Sequence, residues 1–220
     1  MSGVDVVYIP VTIEDWVLTT KCKNTTKGVV CEERYLDDDM GFSTGTGWDA
    51  GHTQTEILDN THSVTTGLST GYVTIVSSSQ PLAMMNPTVA AGMTVLSKQN
   101  YSAGNMLGVI EVGGALAGGG TAAGRRVRLP WGGDSFNWSA LNSNGLKIAQ
   151  QAIAWAGADT SLMLHWKLDA TAGTVLTDSS NNGRHGAFNT GTPSWVDGRR
   201  YKALQFSGSN DAKSNANFDP

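Results

Sequence analysis

VDVVYIPVTIEDWVLTTKCKNTTKGVVCEERY, Val4 to Tyr35, is the stretch on which the fold reading turns. Its first seven residues form a short apolar run rich in β-branched side chains, as a strand buried on both faces shows. Thr12 then stands where it can cap a helix, and Ile13, Trp16, Val17 and Thr20 recur at helical spacing. KGVVCEERY reads as a second strand. Strand, helix and strand in so short a span favour a parallel pair joined by a right-handed crossover. The expected fold class is therefore α/β, a mostly parallel sheet flanked by helices.

Working outward, TEILD, GYVTIVSS, TVLSK and MLGVIEVGGA read as further strands, with Tyr72, Thr74 and Val76 on one side of theirs. LDDDMGFSTGTGWDAGHTQ reads as loop, and its run Asp37, Asp38, Asp39 as solvated charge. LAGGGTAAG is a flexible connection into RRVRLPWGG, read as the last strand of the sheet, with Arg125, Arg126 and Arg128 as edge-strand charges. The clearest helix follows. Asn142 or Ser143 caps it, Leu146, Ala149, Ile153 and Ala156 make its stripe, and Gly157 stops it. A first domain is expected over 1–158.

From Leu162 the texture changes to short alternating runs, LMLHWKLD, GAFNT, PSWVDG and KALQFSG, divided by turns and without a helical stripe. That pattern predicts a β-sandwich over 159–220, left incomplete because so few strands give open edges and half a core. TDSSNNGRHG (Thr177 to Gly186) reads as a turn-rich crossing. In it Asp178 and Ser179 hydrogen-bond to backbone amides, while Asn182 and Gly183 supply positive φ. The alternative is that Asp169, Asp178 or Asn182 helps hold calcium, an ion that oxygen-rich loops suit.

Composition narrows the partners. A net charge of −4 leaves no broad basic surface for nucleic acid or an anionic membrane. No window approaches the roughly 18 consecutive apolar residues of a spanning helix. The start of the chain lacks the pattern of a secretory signal, so any signal is expected outside it. Charged residues are 15% of the chain, below the ~25% of ordinary domains, and Gly, Ser, Thr and Asn take their place. This composition fits an extracellular or cell-surface module. Cys22 and Cys31 flank KNTTKGVV and either close that loop as a disulfide or stay as two buried thiols.

The second part, LHWKLDATAGTVLTDSSNNGRHGAF followed by PSWVDGRRYKALQFSGSND, resembles the opening of a laminin-G-like, concanavalin-type jelly-roll domain. The positions that carry the resemblance are Trp166, Leu168, Asp169 and Gly173; Asp178, Ser179, Asn182, Gly183 and Gly186; then Trp195, Gly198, Ala203, Leu204, Phe206, Gly208 and Asp211. It implies binding to a glycan or an extracellular protein through loops and strands beyond this segment.

The first part is similar to a class I glutamine-amidotransferase-like, flavodoxin-type module. The resemblance runs through Leu36, Asp37, Asp38, Met40 and Gly41; Asp59, Thr61, His62, Gly67 and Leu68; Arg125 and Arg126; and Gly145, Ala152, Ile153, Trp155 and Ala156. Such modules begin with strands ahead of VDVVYIP, so the resemblance implies a piece of a longer protein that starts inside the fold.

Enzymatic chemistry finds little support. Cys22 ends a polar helix and Cys31 lies within a strand, so neither sits on the strained turn of an amidotransferase nucleophile. No G-x-S-x-G occurs. His52, His62, His165 and His185 are singly placed, with no metal-binding pair, and His62 is expected to cap a turn. VGGALAGGG leads into a strand and not into a helix that could hold a phosphate. No catalytic residue and no cofactor is assigned. The expectation is a non-catalytic fragment of a large exported or surface protein, a scaffold ahead of an attachment module. The alternatives are a hydrolase or amidotransferase-type enzyme whose catalytic residues lie outside the chain, or a subunit that self-assembles through open sheet edges.

Overall fold

A computed structural model describes residues 6–99, 104–158, 164–168, 170–178, 184–199 and 202–214. The chain divides into two compact units, Met1–Gly157 and Ala158–Pro220.

In the first unit, β1 (Val6–Ile9) leads through a single helical turn, α1 (Asp15–Leu18), and a 3-10 turn (Thr19–Cys22) to β2 (Gly28–Cys31). Then follow β3 (Trp48–His52), β4 (Gln54–Ile57), β5 (Gly71–Thr74), β6 (Gln80–Met84), β7 (Met93–Lys98), β8 (Asn105–Ile110), β9 (Arg126–Arg128) and α2 (Ser143–Ala156). Seven strands form one sheet in the order β1-β2-β9-β8-β7-β4-β5, while β3 and β6 pair as a separate ribbon. Only β1 with β2 and β2 with β9 run parallel; every other neighbour in the sheet is antiparallel.

The expected α/β class is therefore corrected to a mixed, mostly antiparallel sheet with two helices among the described residues. Connection length supplies the reason. A parallel return needs a crossover of about a dozen residues or more, whereas β7 and β8 follow each other too closely for anything but a hairpin. The crossover from β1 to β2 is itself mostly irregular. Glu14, not Thr12, stands at the cap of α1, its side chain makes no capping bond, and α1 buries none of its residues. Trp16, one of the residues at helical spacing, is 71% exposed.

β9 is a second correction. It is not an edge strand but lies between β2 and β8, pairing Arg126 with Val29 and Ile110, and Arg128 with Cys31 and Gly108. Alternation sends Val127 to one face and both arginines to the other. On the first face Val30, Val109 and Val127 pack with Ile148, Ala149, Ala152, Trp155 and Ala156 of α2. On the second, Val29, Cys31 and Ile110 meet Leu36, Met40, Phe42, Leu116 and Ala117, which come from loops. One face is thus helix-covered and the other loop-covered.

α2 starts as expected. The Asn142 side chain accepts from the backbone N–H of Asn144 at 3.0 Å and of Gly145 at 3.1 Å. Its buried face is displaced from the expected stripe: Leu146 and Ile153 are 44% and 41% exposed, and Gly145, Ile148 and Ala152 face inward instead. Small residues let the helix lie close to the sheet. A Cβ on Gly28 would stand 2.0 Å from the carbonyl oxygen of Ala156.

The second unit contains β10 (Val175–Leu176), β11 (Gly186–Thr190), β12 (Ser194–Asp197), β13 (Lys202–Gln205) and β14 (Asp211–Ser214). β10, β11 and β14 make a three-stranded antiparallel sheet, and β12 and β13 a hairpin. Gly186 lies under the Trp166 ring, where a Cβ would come within 2.3 Å of Cζ2, and Trp166 Nε1 donates to Arg184 O at 3.1 Å.

Gly28→Ala is expected to push α2 off the sheet and lower the unfolding free energy by about 1–3 kcal/mol in urea denaturation, the usual cost of overpacking. Gly71→Ala, where no atom lies within 4 Å but φ is +88°, probes backbone strain alone.

Candidate functional site

The three parallel strands end together at Ile9, Cys31 and Arg128, and the segments that leave them enclose a cleft of about 350 Å3. Thr12, Glu14, Asp15 and Trp16 line it after β1, Glu33 and Tyr35 after β2, and Asp134 after β9. The carboxyl ends of parallel strands commonly hold ligands, because chain segments diverge there and leave a crevice.

Behind the cleft, the polar groups nearest the strand ends are tied to one another. Glu32, fully buried, accepts from the Tyr8 hydroxyl at 2.5 Å and Trp131 Nε1 at 2.7 Å through Oε1, and from Val11 N–H at 3.1 Å through Oε2. These bonds join β1, the start of the crossover and the segment after β9 to the end of β2. Burial, and next the Glu32 carboxylate, hold the Tyr8 phenol well above its ordinary range.

Arg128 and Asp37 form an ion pair at 2.6 Å with both side chains 0% exposed. Arg128 also donates to the carbonyls of Leu129 and Trp131. Asp37 Oδ2 and Arg128 Nη2 are buried without hydrogen-bond partners among the described residues, so the pair is incompletely satisfied there. Burial pushes the Asp37 carboxyl up to about 6 against the opposing pull of Arg128. Asp37 thus departs from the solvated run expected for 37–39, while Asp38 remains exposed. Arg126 has no carboxylate partner among the described residues. Its guanidinium donates to the carbonyls of Lys23, Thr25, Lys27 and Arg125 at 2.7–3.1 Å, closing the crossover loop against the sheet.

Glu33 differs from these. It is 3% exposed, and Oε1 accepts from Tyr35 N–H at 2.9 Å, capping the 3-10 turn Arg34–Leu36. Its other oxygen has no donor among the described residues. Burial pushes its carboxyl up to about 7, and the Asp134 carboxylate adds to the rise. Arg34 beside it is committed elsewhere: Nε lies 2.8 Å from Asp49 Oδ2 without hydrogen-bond alignment, Nη1 donates to Gly47 O, and the guanidinium stacks 3.9 Å from the Tyr35 ring.

The residues singled out in the sequence fall outside this cleft. Cys22 and Cys31 are buried free thiols with no bridge between them; Cys31 donates to Glu33 O at 3.6 Å, and burial raises its pKa far above that of a reactive thiol. The His62 ring caps its turn by accepting Val64 N–H at 3.1 Å through Nδ1. Asp178 Oδ1 accepts from His165 N–H at 3.0 Å and Oδ2 from Arg184 N–H at 2.9 Å, so its carboxylate holds the ends of the polar crossing. Asp169, Ser179, Asn182 and Gly183 lie outside the described residues. Among the described residues no three His, Cys, Asp or Glu side chains are grouped to hold a metal ion, and no helix is long and apolar enough to cross a membrane. Comparison with known protein families, characterised proteins and solved structures finds no match to this chain.

Arg128→Met alone is expected to cost about 3–5 kcal/mol because it strands a buried carboxylate, while the double change Arg128→Met with Asp37→Leu recovers most of that loss. Urea denaturation of the two variants checks this. Glu33 gives a pH signature. Its folded pKa, about 7, lies above the ordinary 4.5, so its stabilising contribution is full below about pH 4.5 and disappears as pH rises through 7. Stability measured from pH 5 to 8 should fall by a component that Glu33→Gln lacks.

Proposed function

We propose that this chain is a non-catalytic part of an exported or cell-surface protein, a scaffold unit joined to a unit that serves attachment to a glycan or a protein. The observation that carries the reading is the commitment of the polar groups at the strand ends. Glu32 is saturated by three donors, Asp37 is buried against Arg128, and Cys31 is an inert buried thiol. Groups held in this way stabilise loops and are not available to attack or protonate a substrate. The low charge and hydroxyl-rich surface support exposure to the exterior.

A second reading, an acid–base enzyme, draws on one feature: Glu33 opens on a cleft with a carboxyl that titrates near neutrality. One set of measurements separates the two. The whole chain is presented to an immobilised glycan panel and, in parallel, to ester, amide and glycoside substrates, with Glu33→Gln as control. Attachment predicts retained glycan, no turnover above the Glu33→Gln background, and no thiol labelling before unfolding. Turnover lost in Glu33→Gln would replace it with the enzyme.

A further inference from the structure

We propose that, on export, the chain receives an N-linked glycan at Asn24, transferred from an oligosaccharide carried on a polyprenyl diphosphate. The inference rests on the reading of the chain as exported, because this transfer belongs to export routes. Three stretches have the acceptor pattern Asn-x-Ser/Thr with x other than proline: Asn24-Thr25-Thr26, Asn100-Tyr101-Ser102 and Asn137-Trp138-Ser139. Asn86-Pro87-Thr88 is barred by its proline. Asn100 to Ser102 lie outside the described residues. A chain rich in Asn, Ser and Thr produces such patterns by composition alone, so the surroundings of Asn24 and Asn137 decide between them.

Asn24 stands between the 3-10 turn Thr19–Cys22 and β2, and both it and Thr26 are exposed. The backbone on either side is held from within: Arg126 Nη2 donates to the carbonyls of Lys23 at 3.1 Å and Thr25 at 2.7 Å, and Nη1 to that of Lys27 at 2.9 Å. Thr25 Oγ1 accepts from Lys27 N–H at 3.2 Å, and Thr25 N–H donates to Cys22 O at 3.3 Å. Neither the Asn24 amide nor the Thr26 hydroxyl has a hydrogen bond among the described residues. The two groups that the pattern needs therefore stand at the surface, free of the fold. Asn137 is placed differently. Its Oδ1 accepts from Ser139 N–H at 3.0 Å to cap the 3-10 turn Trp138–Ala140, and its own N–H donates to Gln80 Oε1 at 3.0 Å. The Trp138 ring meets Trp131 edge-on, with centroids 6.0 Å apart. Seating that pattern on a transferase would undo the turn and draw Trp138 away from Trp131, whereas Asn24 gives up no contact.

The transfer is redox-neutral. Asn24 Nδ2 attacks the anomeric carbon of the donor's first sugar, and the N–C bond forms as the C–O bond to the diphosphate breaks. The polyprenyl diphosphate leaves with the electron pair, and the amide gives up one proton to the transferase. The product is a bulky, hydrated group on the outside of the crossover loop, whose inner carbonyls stay on Arg126.

The test is peptide mapping by mass spectrometry of the whole chain, once as recovered from its own source and once as secreted behind a signal peptide by a cell that performs this transfer. Both samples are treated with peptide N-glycosidase F in heavy-oxygen water, which leaves a labelled aspartate wherever a glycan stood. Labelled aspartate at position 24 and unlabelled asparagine at position 137 are expected in both. Asn24→Gln and Thr26→Ala should each remove one glycan's mass from the secreted chain, while Thr26→Ser, which keeps the hydroxyl, should retain it. All three changes fall at exposed positions and should leave the urea midpoint where it was, so that a lost glycan reports the acceptor pattern and not the fold. A bare Asn24 in the secreted sample, or a glycan on Asn137 with Asn24 bare, would overturn the proposal. Recovery from outside the source cell with Asn24 bare would defeat this inference and leave export standing. Recovery from inside that cell, with the secreted sample labelled at Asn24, would defeat export and leave the acceptor site standing.

Discussion

Two guanidinium groups buried in the middle of a sheet set the terms for the rest of the first unit. β9 lies between β2 and β8, so Arg126 and Arg128 cannot reach solvent sideways, and alternation sends both to the loop-covered face. Desolvating an isolated charge is so unfavourable that such groups must be matched by anions or by many acceptors. The loops on that face supply them. The crossover between β1 and β2 turns the carbonyls of Lys23, Thr25 and Lys27 onto Arg126, and the segment after β2 brings Asp37 onto Arg128. This explains how an irregular crossover can stand where a helix would otherwise be needed: its backbone acceptors have a charged partner.

The cleft is a consequence of that arrangement. Tying residues 32–37 down to β9 leaves the chain after β1, after β2 and after β9 diverging above the sheet. Glu32 ties them from beneath through Tyr8, Val11 and Trp131. What remains unpaired faces outward, and it is acidic. Burial at the cleft floor gives Glu33 a proton affinity suited to neutral pH, while its neighbour Glu32 is locked among donors. Two adjacent carboxylates therefore have different surroundings, Glu32 locked among three donors and Glu33 lining the cleft. The direction each side chain takes from the end of β2 makes the difference.

Much of the local structure was legible. The apolar runs at β1, β2, β4, β5, β7 and β8 lie where alternation and β-branching place them, and Asn142 caps α2 by a side-chain acceptor that its position announces. β3 and β6 were not legible. WDAGH and QPLAM carry a glycine or a proline in place of a strand pattern, and they pair with each other as an antiparallel ribbon. The stripe on α2 was displaced because Leu146 and Ile153 are the more apolar choices, yet glycine and alanine allow the closer approach. The same inward face takes Ile148 and Trp155, so small residues set the approach and large ones fill the space beside them.

By itself the chain determined which segments extend, where the long helix begins and that its charge is low, while it left open whether its two cysteines are bridged. Those properties depend on near neighbours in sequence, which constrain φ, ψ and burial period directly. Only the tertiary structure decided strand order and direction, the burial of Arg126 and Arg128, and the convergence of Glu14, Asp15, Glu33 and Asp134 on one cleft. Asp37 and Arg128 meet across 91 positions of sequence. Nothing local marks an aspartate in an acidic run as the one that must be desolvated, because its energy depends on which charge the folded sheet places opposite it.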